Sequence, residues 1–192
     1  MALPQSPLSY HADLYRYWDA KRGDRPMPAR ADIDPAEIRG LLPHLTLIER
    51  VEGGFRYRLV GSKVVQDLGR EMTGTMVGSH VTPPEYGRAL CAIYEQVCDG
   101  GKPIFTTGEY RSPSQLVHTV SRLLMPLGPA GGAANMVLLS RASRYDRGTT
   151  VTGWLGRTAG RLGETVEVES LAQVKGLTLT WAQQSLPECV PA

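Results

Sequence analysis

Phe55-Arg56-Tyr57-Arg58-Leu59-Val60-Gly61, Ser62-Lys63-Val64-Val65-Gln66-Asp67-Leu68-Gly69 and Arg70-Glu71-Met72-Thr73-Gly74 follow one another without a gap. The first piece alternates Phe55, Tyr57 and Leu59 with Arg56, Arg58 and Val60, the period of a half-buried strand. Ser62 is placed to cap a short helix over 63–68, and Gly69 suits the left-handed residue that ends one. Farther on, Thr82-Pro83-Pro84-Glu85 opens the strongest helix of the chain. Thr82 reads as its N-cap, the prolines fill its first turn, and Glu85 sits where a capping box needs it. Tyr86, Leu90, Ile93, Tyr94 and Val97 then make one apolar stripe, and Gly100-Gly101 stops the helix. Residues 55–102 therefore read as strand, short helix, glycine-punctuated loop and long helix.

Working outward, residues 45–51 carry Leu45, Leu47, Ile48 and Val51 and read as a strand. Glu52-Gly53-Gly54 joins it to 55–60 as a hairpin, so the two pair antiparallel. After the long helix, 103–111, 117–127 and 135–140 read as three more strands. Ser112-Pro113-Ser114 turns between the first two, and Gly128-Pro129-Ala130-Gly131-Gly132 between the last two. Toward the N-terminus, 8–22 is an amphipathic helix in which His11, Leu14, Tyr15 and Trp18 share one face, with Ser9 as cap and Gly23 as stop. Asp24 to Pro35 is a proline-rich arm. Asp34-Pro35-Ala36-Glu37 has the signature of a helix start, giving a short helix that ends near Gly40 before Pro43. Hairpins at both ends with helices between them give an α+β protein: a five-stranded antiparallel sheet with its helices on one face. The divisions expected are 1–44 for the helix and arm, 45–144 for the core, and 145–192 for a Gly-rich C-terminal extension.

With 192 residues, 42% of them hydrophobic, the chain suits one domain with a core. The formal charge of +2 gives no reason to expect nucleic acid or an anionic membrane as partner. The basic groups Lys21-Arg22-Arg25-Arg30, Arg141-Arg144-Arg147 and Arg157-Arg161 read as solvated surface. There is no secretory signal pattern and no apolar run approaching the ~20 residues of a membrane span, so the expected location is cytoplasmic. The three cysteines, Cys91, Cys98 and Cys189, form neither a disulfide framework nor a zinc knuckle. Cys91 and Cys98 lie two helical turns apart, ~10 Å, too far for a direct disulfide, and read as small buried hydrophobes.

The search for chemistry is mostly negative. No dinucleotide fingerprint, phosphate loop or nucleophile elbow is present. The histidines His11, His44, His80 and His118 stand at no metal-ligand spacing, and no metal is expected.

The segments Tyr17-Trp18, Leu41-Leu42-Pro43, Tyr57-Arg58-Leu59-Val60-Gly61 and Gly69-Arg70-Glu71-Met72-Thr73-Gly74 stand in order and at sensible spacing. Together they resemble the PAS sensor domains, and in particular the stand-alone "PAS domain, type 5" branch known from proteobacteria. The resemblance covers roughly 14–141. It implies strand order 2-1-5-4-3, a ligand- or partner-binding role rather than catalysis, and dimerisation through a flanking helix. Where light-sensing relatives carry an Asn-Cys-Arg-Phe-Leu run, this chain has Val64-Val65-Gln66-Asp67-Leu68, without the adduct-forming thiol. No motif for haem or flavin is present, so the cofactor stays unknown and a small apolar ligand is the form left open.

In such a fold Tyr57, Leu59, Val64, Leu68, Met72, Met76, Tyr94, Phe105 and His118 line the space between sheet and helices, either as a ligand pocket or as a filled core. His44 is expected to tie the arm to the sheet. Leu14, Tyr15 and Trp18 form an aromatic stripe that docks on the domain's own sheet or on a second copy. The expected function is a stand-alone sensory or regulatory module that binds a small molecule, a partner protein or both, and signals by protein–protein interaction without catalysis. With no kinase, cyclase or DNA-binding segment in the sequence, its output is expected to pass through a partner. The alternatives are a ligand-free dimerisation scaffold, and an enzyme with His118 as base and Tyr57 or Tyr94 as acid.

Overall fold

A computed structural model of the protein describes residues 7–79, 84–111 and 117–145. Helix α1 (Pro7–Arg22) leads, through the arm and two 3-10 turns at Arg30–Asp32 and Leu42–His44, to strands β1 (Leu45–Val51) and β2 (Gly54–Val60). Helices α2 (Ser62–Leu68) and α3 (Pro84–Gly100) follow, then β3 (Ile104–Arg111), β4 (Val117–Leu127) and β5 (Met136–Tyr145). The strands form one sheet in the order β2-β1-β5-β4-β3, every neighbouring pair antiparallel. β5 is longer than its apolar run, because its second half pairs with the start of β4 out to Tyr145 and His118. Among the described residues no helix is long and apolar enough to cross a membrane.

Helices cover both faces of the sheet. Ser140 and Arg141 are neighbours on β5 and so point to opposite sides. Ser140 hydrogen-bonds His11 of α1, whereas Arg141 pairs with Asp67 of α2. One face therefore belongs to α1, and the other to α2 and α3. Tyr94 of α3 meets Phe55 of β2 edge to face on that second side, ring centroids 5.5 Å apart. As expected, α2 and α3 share one face, and the N-terminal helix that precedes them docks its stripe on the domain's own sheet, on the other face. Leu14, Tyr15 and Trp18 are buried there, and the Trp18 indole donates to the Pro126 carbonyl at 2.9 Å.

The arm joins the same core. Met27, Ile33 and Ile38 are buried with the strand residues. The Tyr17 hydroxyl accepts from the Asp34 amide at 2.8 Å, and Lys21 pairs with Glu37 at 2.7 Å. The helix expected after Asp34 is instead a chain of tight turns, with Glu37 donating to Asp34 and Ile38 to Pro35.

β2 departs from its sequence pattern. Leu47 faces Leu59 but Ile48 faces Tyr57, so Arg58 is an extra residue, a β-bulge. Phe55 and Tyr57 point to the α3 side. After the bulge the parity flips, Val60 turns inward and Leu59 lies on the opposite face, 40% exposed. The outer edge of β2 is covered by the loop after α2: Gly74 donates to Tyr57, Tyr57 to Thr75, and Val77 to Phe55. That pairing satisfies an edge that would otherwise invite another strand.

Gly61 marks a close approach at the β2–α2 junction, where a Cβ would strike the carbonyl oxygens of Leu42 and Pro43. Gly69 ends α2 in the left-handed region at φ 68°, as its place in the sequence predicts. Because the obstacle at Gly61 is backbone, Gly61→Ala should lower stability by about 1–3 kcal/mol. Urea denaturation measures this, and an unchanged midpoint would mean that the two segments are not in contact.

Candidate functional site

Two polar clusters lie back to back across β4 and β5. On the α1 face, His11 is fully buried. Its Nδ1 lies 2.9 Å from the Ser140 hydroxyl and its Nε2 2.8 Å from the Ser121 hydroxyl. Phe105 of β3 meets the imidazole edge-on at 5.6 Å. A neutral imidazole donates from one nitrogen and accepts at the other, and a hydroxyl can answer either. Burial, helped by the charge of nearby His44, pushes the His11 pKa from 6.5 down to about 3. His44 stacks on Tyr10 of α1 at 4.1 Å, and burial lowers its pKa as well. His44 was expected to tie the arm to the sheet; the contact it makes instead is with α1.

On the α2–α3 face, Arg122 and Arg141 sit directly opposite each other on β4 and β5. They are 9% and 7% exposed. Arg141 Nη1 reaches the Asp67 carboxylate of α2 at 3.1 Å, and both side chains are nearly shut off from water. The sequence reading of Arg141 as solvated surface is corrected by this pair. Thr106 of β3 stands opposite Arg122 and extends the row across three strands.

The expected lining residues divide. Tyr57, Val64 and Tyr94 are buried in the core, with Leu68 and Met72 partly buried against it. Phe105 does not belong with them: opposite Leu123, which stands opposite Ser140, it lies on the α1 face. Leu59 is turned outward by the Arg58 bulge. Met76 is also exposed, because it lies in the loop bridged to Arg56 along the outer edge of β2. His118 stands in register with Tyr110 on β3 and Tyr145 on β5. His80 and most of the 145–192 extension lie outside the described residues. On α3, burial pushes the Cys98 thiol up to about 11 and raises that of Cys91, so both stay protonated.

The row Thr106–Arg122–Arg141, with Asp67 above it, was missed in the sequence. Its trace there is a Ser-Arg pair, Ser121-Arg122 and Ser140-Arg141, set inside each of two otherwise apolar strands. A charge inside a core strand is the anomaly that matters.

A family model described as PAS domain matches residues 8–139. The chain belongs to the PAS domain family. That span takes in α1, the arm and the sheet as far as Leu139, so the helix on the outer face falls within the matched region. Among solved structures the chain is similar to a Rhodobacter sphaeroides LOV protein, at 16% identity and TM-score 0.44, over 58% of this chain and 68% of that one. It is also similar to the PAS domain of an HTR-like protein from Haloarcula marismortui, at 12% identity and TM-score 0.38, over 57% and 90%. No curated protein matches the chain.

The His11 site has a consequence for pH. Near pH 6.5 the unfolded chain takes up this proton, whereas the folded protein resists it down to about 3. The stability contributed by neutral His11 is complete above that range and falls as pH drops below 6.5, by up to ~1.4 kcal/mol per pH unit. Equilibrium denaturation across this window should show the decline, and His11→Gln should lose most of one proton's slope. An identical slope in the variant would place the titration elsewhere.

Proposed function

We propose that this PAS domain is a sensory module that binds a small molecule on the α2–α3 face and passes the change to α1 on the opposite face, without catalysing a reaction. The observation that carries this reading is the back-to-back arrangement. Ser121 and Ser140, which hold His11, are each the chain neighbour of an arginine on the other side. A shift of β4 or β5 that re-aims Arg122 or Arg141 also re-aims the hydroxyls that grip α1. The two faces are thereby coupled through two shared strands.

Release of α1 would uncover Leu14, Tyr15 and Trp18, an apolar stripe suited to a partner protein or a second copy of the chain. The dimer is in this reading a product of release, not a property of the docked state. A ligand-free scaffold remains the second reading, since Tyr57, Val64 and Tyr94 are also good core residues.

Native mass spectrometry of the protein as purified, beside its denatured mass, separates the two. The sensory reading expects additional mass that is lost on denaturation, and less of it in Tyr94→Ala. A bare mass in both proteins, with Tyr94→Ala only less stable by about 3–5 kcal/mol, would favour the scaffold.

A further inference from the structure

We infer that residues 164–169 of this chain, Glu164-Thr165-Val166-Glu167-Val168-Glu169, dock on the outer face of β2 over Leu59 and Met76. This surface lies across the sheet from the ligand-binding face proposed above, and the inference stands without that reading. α1 packs over β4 and β5 and leaves β2 beyond it. Leu47 stands opposite Leu59 on β2 and Leu138 on β5. Leu138 is two residues from Ser140, which holds His11, so Leu59 is on the α1 side of the sheet. Glu49, two residues from Leu47, shares that side, as does Arg56 opposite it. Met76 is bridged to Arg56 from the loop along the outer edge. Leu59 and Met76 are the exposed large apolar side chains among the described residues, and both belong to this one face.

The charges around them do not balance. Glu49 Oε2 lies 2.8 Å from Arg56 Nη2 and 3.6 Å from Arg58 Nε, so one carboxylate serves two guanidiniums. The Arg56 Nε–H is shut off from water without an acceptor, which is costly. A second carboxylate that takes Arg58 would leave Glu49 free to meet Arg56 through both nitrogens, the geometry an arginine favours. The face therefore calls for one carboxylate beside a pair of apolar side chains.

Residues 164–169 carry that combination. Laid out extended, Glu164, Val166 and Val168 fall on one side, and Thr165, Glu167 and Glu169 on the other. The first side matches Arg58, Leu59 and Met76, and the second stays in water. The chain is long enough for the crossing. β5 ends at Tyr145, and the 18 residues 146–163 include Gly148, Gly153, Gly156, Gly160 and Gly163. Such a stretch can span up to about 60 Å, whereas β2 lies two strand spacings from β5, ~10 Å. The edge of β2 is already taken by the loop carrying Thr75 and Val77, so the contact is over the face and not the addition of a strand.

The test is magnetic resonance of the full chain with labelled Leu, Met and Val methyl groups. The inference expects nuclear Overhauser contacts from Leu59 and Met76 to Val166 and Val168, at a strength independent of protein concentration. Glu164→Lys lies outside the folded domain described above and should lower the docked fraction about 5-fold. Absence of those contacts, or contacts unchanged in Glu164→Lys, overturns the inference. Contacts seen only between differently labelled copies of the chain overturn it as well, because the occupant is then a second copy.

Discussion

β4 and β5 are covered on both sides, and most of the molecule follows from that constraint. A strand buried on one face can spend every second residue on water. These two cannot, so consecutive residues serve different layers: Ser121 and Ser140 hold α1 while Arg122 and Arg141 face α2. Polar groups in such strands must find partners inside the protein. On the α1 side the partner is a single imidazole shared by two hydroxyls. On the α2 side it includes the Asp67 carboxylate.

The two clusters differ in what they ask of the solvent. The His11 cluster is closed and stays neutral, a polar pin within an otherwise apolar contact made by Leu14, Tyr15 and Trp18. Apolar contact alone would let α1 slide along the sheet. Two short hydrogen bonds and the indole bond to Pro126 fix its register. The arginine row is charged, and one of its neighbours, Thr106, has a hydroxyl with no partner. Their adjacency along the backbone ties the packing of α2 on one face to that of the N-terminal helix on the other.

Much of the fold was legible in the sequence. The limits of β1 and β4, the glycine-ended α2, the long α3 and the antiparallel order all follow from periodicity, turn residues and the family motifs. What was hidden has specific causes. Tyr57 and Leu59 sit two apart, as residues of one face should, but the bulge at Arg58 puts them on opposite faces, and no residue type there announces it. Phe105 lies in a strand whose apolar residues face both ways, so alternation could not assign it to the α1 side. The cap residues at Asp34 promised a helix where the chain instead makes tight turns, held by Glu37 to Asp34 and Ile38 to Pro35. His11 was visible on the apolar stripe of α1, but its serine partners are more than a hundred residues away in the chain.

α1 is pinned to the sheet through a buried, neutral His11. Nitrogen-detected magnetic resonance of the His11 imidazole, followed from neutral pH down to about pH 5, observes that pin directly. A pinned His11 shows one tautomer throughout, with one ring nitrogen protonated and the other not, and no titration in that range. A ring that averages between tautomers and takes up a proton near pH 6.5 would mean that His11 is in water and that α1 is not docked as described.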